Sequence, residues 1–239
     1  MDRSSGFSMG KRHGLRKLMK FFLRRLIWVS VFIGLVFPVT TILIYRILPP
    51  LVTPLMLVRN SPMQYDFVAL KNISPSLIQA VLVSEDQRFC EHAGFDWKQM
   101  GIVWDELVDT GTASRGASTI SMQTAKNLFL WPSRSKVRKA LEVPLTLMLE
   151  TLLPKRRILE LYLNIAEFGD GIYGAEAAAQ AHFNRTAKAL THGQASRLAA
   201  VLPNPLDRNA ARPSQNVQKR ANRISGNIRV APATLWSCL

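Results

Sequence analysis

The sequence predicts a mostly helical protein, one domain behind a single N-terminal transmembrane helix, and three observations carry that expectation. Helix-start and helix-stop signals outnumber strand signals. The run LIWVSVFIGLVFPVTTILIY, Leu26 to Tyr45, holds no charge and is long enough to cross a hydrocarbon core as one helix. What remains of the 239 residues suffices for one domain with a sizeable core. A hydrophobic content of 48% excludes disorder, and a net charge of +15 points to an anionic partner such as lipid headgroups, phosphates or nucleic acid.

That charge is unevenly placed. Eight of the 31 Lys and Arg precede Leu26 (Arg3, Lys11, Arg12, Arg16, Lys17, Lys20, Arg24, Arg25), against one acid, Asp2. A basic tail at 1–25 beside a span at 26–45 predicts a cytoplasmic N-terminus and a chain that lies outside the membrane after Arg46. It also explains the densest positive segment as a topology and anionic-lipid signal; with no recognised nucleic-acid motif, nucleic acid is excluded as a partner. Trp28 and Tyr45 sit near the ends of the span as interfacial anchors do, and Pro38 inside it predicts a kink. The run is longer than the apolar core of a cleaved signal and no Ala-x-Ala pattern follows, so it reads as an uncleaved anchor. Residues 46–70, broken by Pro49, Pro50 and Pro54, form a connector too interrupted to span again.

Ser74 as N-cap and Pro75 at the first helical position start the next helix, with Leu77, Ile78, Val81 and Leu82 available for burial. Glu85 falls near its C-terminus. The partial negative charge there raises the proton affinity of a carboxylate, which a general base requires. Taken alone, Glu85-Asp86 fits a solvated acidic helix end salt-bridged to Arg88 at least as well. Trp97, Ile102, Val103, Trp104 and Leu107 follow at helical spacing and are expected in the core. Thr110 to Ala117 has loop composition.

Ser118 is the expected N-cap of a helix on which Thr119, Gln123 and Lys126 stand at i, i+4 and i+7 on one face, with Ile120 and Leu128 buried. A cationic stretch comes next, Arg134, Lys136, Arg138 and Lys139, then Glu142; Pro144 predicts that a helix either starts near Glu142 or kinks there. Lys155 to Asn164 is apolar around most of its circumference and reads as a buried helix ended by Gly169-Asp170-Gly171, with a restart from Gly174 to Phe183. No strand precedes those glycines, so a dinucleotide loop is not expected. His182 and His192 read as satisfied or exposed histidines, and no metal-ligand spacing occurs. A short apolar helix from Ala195 to Leu202 stops at Pro203-Asn204-Pro205, and residues 206–239 form a basic tail over the surface. Of the two cysteines, Cys90 reads as a small packing residue; a bridge to Cys238 is open to an oxidising compartment but nothing in the spacing asks for it.

Glu85-Asp86-x-x-Phe89-x-x-His92-x-Gly94 resembles the first signature of the peptidoglycan glycosyltransferases of glycosyltransferase family 51. Ser118-Thr119-x-x-x-Gln123-x-x-Lys126-Asn127-Leu128-Phe129 resembles the second, Arg138-Lys139-x-x-Glu142 the third, and Lys155-x-x-Ile158-Leu159-Glu160-x-Tyr162-Leu163-Asn164 with the following glycines the fourth. The order is the family's, and the resemblance runs from Pro54 to Pro205. Ala117 departs from it where a second glycine is usual, as does Met122 where glutamine is common; a left-handed backbone at 117 would suit alanine poorly.

The resemblance implies a lysozyme-like helical fold with the catalytic domain at 71–205, and closest likeness to the family's single-domain members. It implies polymerisation of lipid II into glycan strands, release of undecaprenyl diphosphate and inversion at C1 of N-acetylmuramic acid. Glu85 would be the base and Glu142 would assist. Ser118, Thr119, Gln123, Lys126, Arg134 and Lys139 would hold sugar and diphosphate, since fixed cations stabilise a departing diphosphate. No metal ligand is implied, and a divalent cation is the one cofactor left open. Expected partners are lipid II, the growing glycan strand, the bacterial inner membrane and division or elongation machinery, with the catalytic domain periplasmic. Two rivals stay open: a lytic enzyme of similar fold using Glu85 as acid, and a non-catalytic membrane assembly protein.

Overall fold

The computed structural model describes the backbone of residues 7–112, 116–133 and 135–239, with side chains from residue 19 onward. Arg134 lies outside the described residues, as does the middle of the loop from Thr110 to Ala117. The architecture is mostly α.

Helix α1 (Phe7–Val31) continues through a π-helical turn, Phe32–Val36, into α2 (Phe37–Tyr45). The stretch Met19–Tyr45 is long and apolar enough to cross a membrane. The π turn is the structural outcome at Pro38: a proline has no N–H for the carbonyl four residues back and its ring crowds that carbonyl, so the ladder widens, with Phe37 N–H donating to Phe32 O. The helix begins earlier than the apolar run because the basic residues before Leu26 are themselves good helix formers. Its last turns do not hang free. Pro38 and Ile42 are buried, α2 packs on α7, and Arg157 donates to the carbonyls of Tyr45 (2.7 Å) and Leu48 (2.8 Å), satisfying acceptors that a helix end leaves open.

The connector folds as the short α3 (Pro54–Val58), N-capped by Thr53 with Met56 buried, and Arg59 is held in a bidentate pair with Glu167 at 2.8 and 3.0 Å. β1 (Gln64–Tyr65) then pairs in parallel with β3. Helix α4 (Pro75–Glu85) follows, with Pro75 in its first turn; the Ser74 hydroxyl donates to Leu190 O instead of capping the helix. α5 (Trp97–Thr110) is capped by Asp96 and ended by Gly111 in the left-handed region (φ 71°). α6 (Ile120–Phe129), α7 (Lys136–Leu152) and α8 (Lys155–Ile165) pack on one another. α7 begins at Lys136 and runs through Pro144, so it does not start near Glu142.

The strands β2 (Glu167–Gly169) and β3 (Ile172–Tyr173) form an antiparallel hairpin, giving the sheet order β1-β3-β2. Strands of two or three residues carry too little period-2 pattern to be read in advance. Gly174 sits at φ 84°, where a Cβ would meet Asn164 O at 2.5 Å, so the chain can turn there only without a side chain. Beyond it lie α9 (Ala175–Phe183), α10 (His192–Val201) and α11 (Gln215–Val230).

The core contains Leu77, Leu82, Phe89, Ile158, Leu161, Tyr162, Phe168 and Leu198. Three expectations fail here. α5 buries none of its residues: Trp97 and Trp104 are 72% and 66% exposed, because no element packs extensively over its apolar face. Conversely, residues 206–239 do not merely cover the surface, since Val217, Ala221, Ile224 and Ile228 of α11 enter the core against α10 and α4. Cys90 is not a free packing residue either; it is disulfide-bonded to Cys238.

Candidate active site

Glu85 is the last residue of α4 and its side chain is 11% exposed, with Oε1 itself buried. Gln123 Nε2 donates to its Oε2 at 3.1 Å, and Tyr162 Oη donates to Gln123 Oε1 at 3.1 Å, which fixes the amide's orientation. Oε1 has no hydrogen-bond partner among the described residues, and Arg220 Nη2 stands 3.7 Å from it. Burial raises the proton affinity of Glu85 above the usual carboxylate value; the Gln123 hydrogen bond and the Arg220 and Lys126 charges pull the other way. One oxygen is thus held by an amide, and the other is buried beside a guanidinium with no hydrogen bond.

Asp86, next along, is structural. It is buried, its Oδ2 accepts from Ile120 N (3.0 Å) and its Oδ1 lies 3.0 Å from His92 Nε2, so it joins the end of α4 to the first turn of α6. Thr119, one of the expected substrate contacts, is committed in the same way. It replaces Ser118 as the N-cap of α6, accepting from Met122 N (3.1 Å) and donating to Gly94 O (2.6 Å). Gly94 has φ 91° and a Cβ there would meet Thr146 Cγ2 at 2.9 Å. Ala117 is not among the residues with positive φ, so the feared conflict does not arise. Arg88 pairs with Glu91 and Asp96, both at 2.8 Å, and not with Glu85.

The second cluster is cationic. On the first turns of α7, Glu142 is buried to 3% exposure and accepts from Arg138 through Oε1 and from Lys139 through Oε2 (2.6 Å). Lys139 Nζ also reaches Ser118 Oγ at 3.1 Å. Lys126, on the face of α6 that carries Gln123, is largely buried; that desolvation lowers its proton affinity, with Arg138 and Lys139 acting in the same direction and Glu142 and Glu85 opposing. Lys126 therefore lies within electrostatic reach of both glutamates. Of the expected site residues, Glu85, Gln123, Lys126, Ser118, Lys139 and Glu142 fall into one continuous arrangement. A cavity of roughly 420 Å³ opens beside it, lined by Gln123, Lys126, Asn127 and Tyr162 on one side and by Arg59 and Asn204 on the other.

Both glutamates face cations or an amide, and among the described residues no group of three or more His, Cys, Asp or Glu side chains could hold a metal ion. With Lys126 and Arg59 in its walls, the cavity is suited to an anionic ligand with polar groups.

Sequence reading missed Arg220. The signal was present in Val217, Ala221, Ile224 and Ile228, an apolar stripe at helical spacing that marks a buried helix and not a surface tail. With that stripe inward, Arg220 falls on its flank, next to the end of α4.

Comparison with known proteins agrees with this arrangement. The family model described as Transglycosylase matches residues 54–229, which takes in both α3 and α11. The chain is 47% identical over 197 residues to a protein of Brucella suis biovar 1 named biosynthetic peptidoglycan transglycosylase, covering 80% of this chain and 87% of that one. It is 45% identical over 210 residues to a Caulobacter vibrioides protein of the same name, covering 85% and 91%. A Rhizobium leguminosarum bv. trifolii protein of that name is 54% identical over 158 residues, or 66% of this chain and 67% of the relative.

Proposed function

The chain belongs to the transglycosylase family, and from that premise we propose that it polymerises lipid II into glycan strands at the outer face of the inner membrane. The observation that carries the reading is a buried carboxylate, Glu85, whose Oε1 makes no hydrogen bond and meets Arg220 only at 3.7 Å, set near a cationic cluster at Lys126 and Lys139 across Gln123. Such a pair matches a reaction that removes a proton at one end and releases an anion at the other.

Glu85 takes the proton of the 4-hydroxyl on the terminal N-acetylglucosamine as that oxygen attacks C1 of N-acetylmuramic acid in the donor. Attack from the face opposite the departing undecaprenyl diphosphate inverts C1 from α to β. Lys126 and Lys139, and Arg134 by the resemblance to the family, stabilise the diphosphate as its bond to C1 breaks. Glu142 and Arg138 hold Lys139 in place. Gln123 keeps Glu85 oriented, Ser118 meets sugar or phosphate from beside Lys139, and Thr119 acts by capping α6.

The membrane placement fits the substrate. The apolar helix ends within hydrogen-bond reach of Arg157, so the domain is held close to the membrane that the helix would span, where a lipid-linked substrate resides. The exposed apolar face of α5 suits contact with lipid. The basic N-terminus supports a cytoplasmic start, and the Cys90–Cys238 bridge supports a domain in an oxidising compartment. Alkaline phosphatase fused after Leu239, active only outside the cytoplasm, reads the orientation directly.

The test of the function is to incubate the purified full chain in detergent with labelled lipid II and, separately, with purified sacculi. Polymer from lipid II without soluble fragments from sacculi is the expected result. Fragments without polymer would replace this reading with a lytic one.

A further inference from the structure

The disulfide joins the loop that leaves Glu85 to the segment that follows α11. Cys90 lies in the loop that leaves Glu85 and carries Asp86 and His92, and Cys238 follows α11, which brings Arg220 to Glu85. The separation is 148 residues and the Cα atoms are 5.5 Å apart. These are the chain's two cysteines, so no other thiol competes for either partner. Both are half-buried at the edge of the core.

We propose that this bridge is a redox catch that keeps α11 and Arg220 seated against Glu85, so that the oxidised chain is the fully active one. The proposal rests on the reading of Glu85 as the general base. Past α11 the chain is held, besides the bridge, by one short turn, Ala233–Trp236, that packs on α4. Leu235 is buried and Trp236 and Leu239 pack partly on the core, but Pro232 to Thr234 are exposed and Arg229 and Val230 face solvent. Chain ends with so few anchors fray, and fraying would travel back into the last turns of α11. The bridge fastens that end to the loop whose Asp86 aligns α4 with α6, so opening it loosens two walls of the site together.

Opening requires a dithiol reductant. Its thiolate attacks one sulfur of the bridge and the other leaves as a thiolate that takes up a proton. The reductant's second thiol then attacks the mixed disulfide, leaving two protein thiols and an oxidised reductant. Closing is the reverse, with two electrons and two protons passing to a disulfide oxidant.

The experiment uses the full chain in detergent, in four forms: as purified, reduced with dithiothreitol, Cys90→Ser, and Cys238→Ser. Alkylation of the denatured, unreduced protein should label no thiol; two labelled thiols would overturn the proposal. Lipid II polymerisation should fall roughly threefold to tenfold on reduction, less than the loss of a group outright because the apolar stripe of α11 still packs. The acid limb of kcat/KM should move to higher pH, because a displaced Arg220 no longer favours the ionised form of Glu85. Both serine variants should match the reduced protein and ignore reductant. Hydrogen exchange across Gln215–Val230 should rise on reduction, a readout independent of activity. Unchanged rate, pH limb and exchange in a protein whose bridge has been reduced would reduce it to a plain staple and sink the catch. If lipid II is polymerised in neither state, the functional reading fails, and thiol count and exchange alone still decide whether the bridge seats α11.

Discussion

The two glutamates of the site sit in opposite environments. Glu142 is saturated: both oxygens accept from cations, Arg138 and Lys139, and almost no surface remains. Glu85 has one amide donor on one oxygen and nothing hydrogen-bonded to the other, with its nearest cation at 3.7 Å. A saturated carboxylate is a fixed negative charge that positions cations. One left half-satisfied, at a helix C-terminus and buried, is energetically uphill and ready to accept a proton. That contrast supports the proposed roles, a base at Glu85 and a strut at Glu142, because the surroundings of two identical side chains can push their proton affinities apart.

Replacing each by glutamine should break the symmetry in both activity and stability. The largest effect is expected from Glu85→Gln, a loss of on the order of 10²–10⁴-fold in polymerisation, the usual span of general-base catalysis. Its effect on stability should run the other way. The folded-state proton affinity of Glu85 is raised above its unfolded value, so the folded chain binds the proton more tightly and stability falls as pH rises through that window. At neutral pH the ionised group therefore costs stability, and the permanently neutral glutamine relieves that cost. Thermal unfolding should show a Tm at or above that of the parent; a lower Tm with retained turnover would contradict both halves.

Next is Lys139→Ala, expected to slow lipid II polymerisation by roughly 10²–10³-fold if its charge meets the leaving diphosphate. Cleavage of diphosphate-free glycan would be insensitive to it, so the same variant measured on sacculi separates synthesis from lysis. Glu142→Gln should lower the rate less, by a loosening of Lys139, but should lower Tm. Removing one partner of a buried pair commonly costs about 3 kcal/mol, and the half-exposed Lys139 reduces that to roughly 1–2 kcal/mol, or about 2–8 °C in a domain of this size. A Glu142→Gln chain as stable as the parent would remove its role as strut.

What could be read from the sequence divides along the same line of local against long-range information. Spacing alone placed Gln123 and Lys126 on one helical face, while Glu85, Lys139 and Glu142 stood out only through the resemblance to the family's signatures; what the structure adds is that all five lie in one neighbourhood. Thr119 was legible as a residue of the site but not as a cap, since a hydroxyl at a helix start serves either purpose. The face of α5 was legible as amphipathic, while what covers it was not: period 3.6 says that a stripe exists and is silent on whether protein or lipid lies against it. Nor can two cysteines 148 residues apart announce their pairing, and the cations of α11 look alike until the fold selects Arg220.

Arg220 supplies the smallest and most discriminating test of the comparison. If Glu85 differs from Glu142 by being under-compensated, adding or removing charge near it should move its titration without abolishing its chemistry. Burial raises its proton affinity, and the Arg220 guanidinium restrains that rise by favouring the ionised form. Arg220 is itself partly desolvated there, with Arg208 and Arg223 close enough to disfavour its charge, so it is held beside Glu85 by α11 rather than by a strong pair. Arg220→Gln should therefore shift the acid limb of kcat/KM toward higher pH, since a base must be ionised to act and the remaining terms now favour the neutral form more. Well above the shifted limb the rate should recover to within severalfold of the parent, because no reacting atom has been removed. A pH profile with an unmoved acid limb, in a variant that folds, would mean that Arg220 does not set the ionisation of Glu85. Recovery that fails at every pH would assign Arg220 to substrate contact instead, and the contrast between the two glutamates would then have to rest on Gln123 and burial alone.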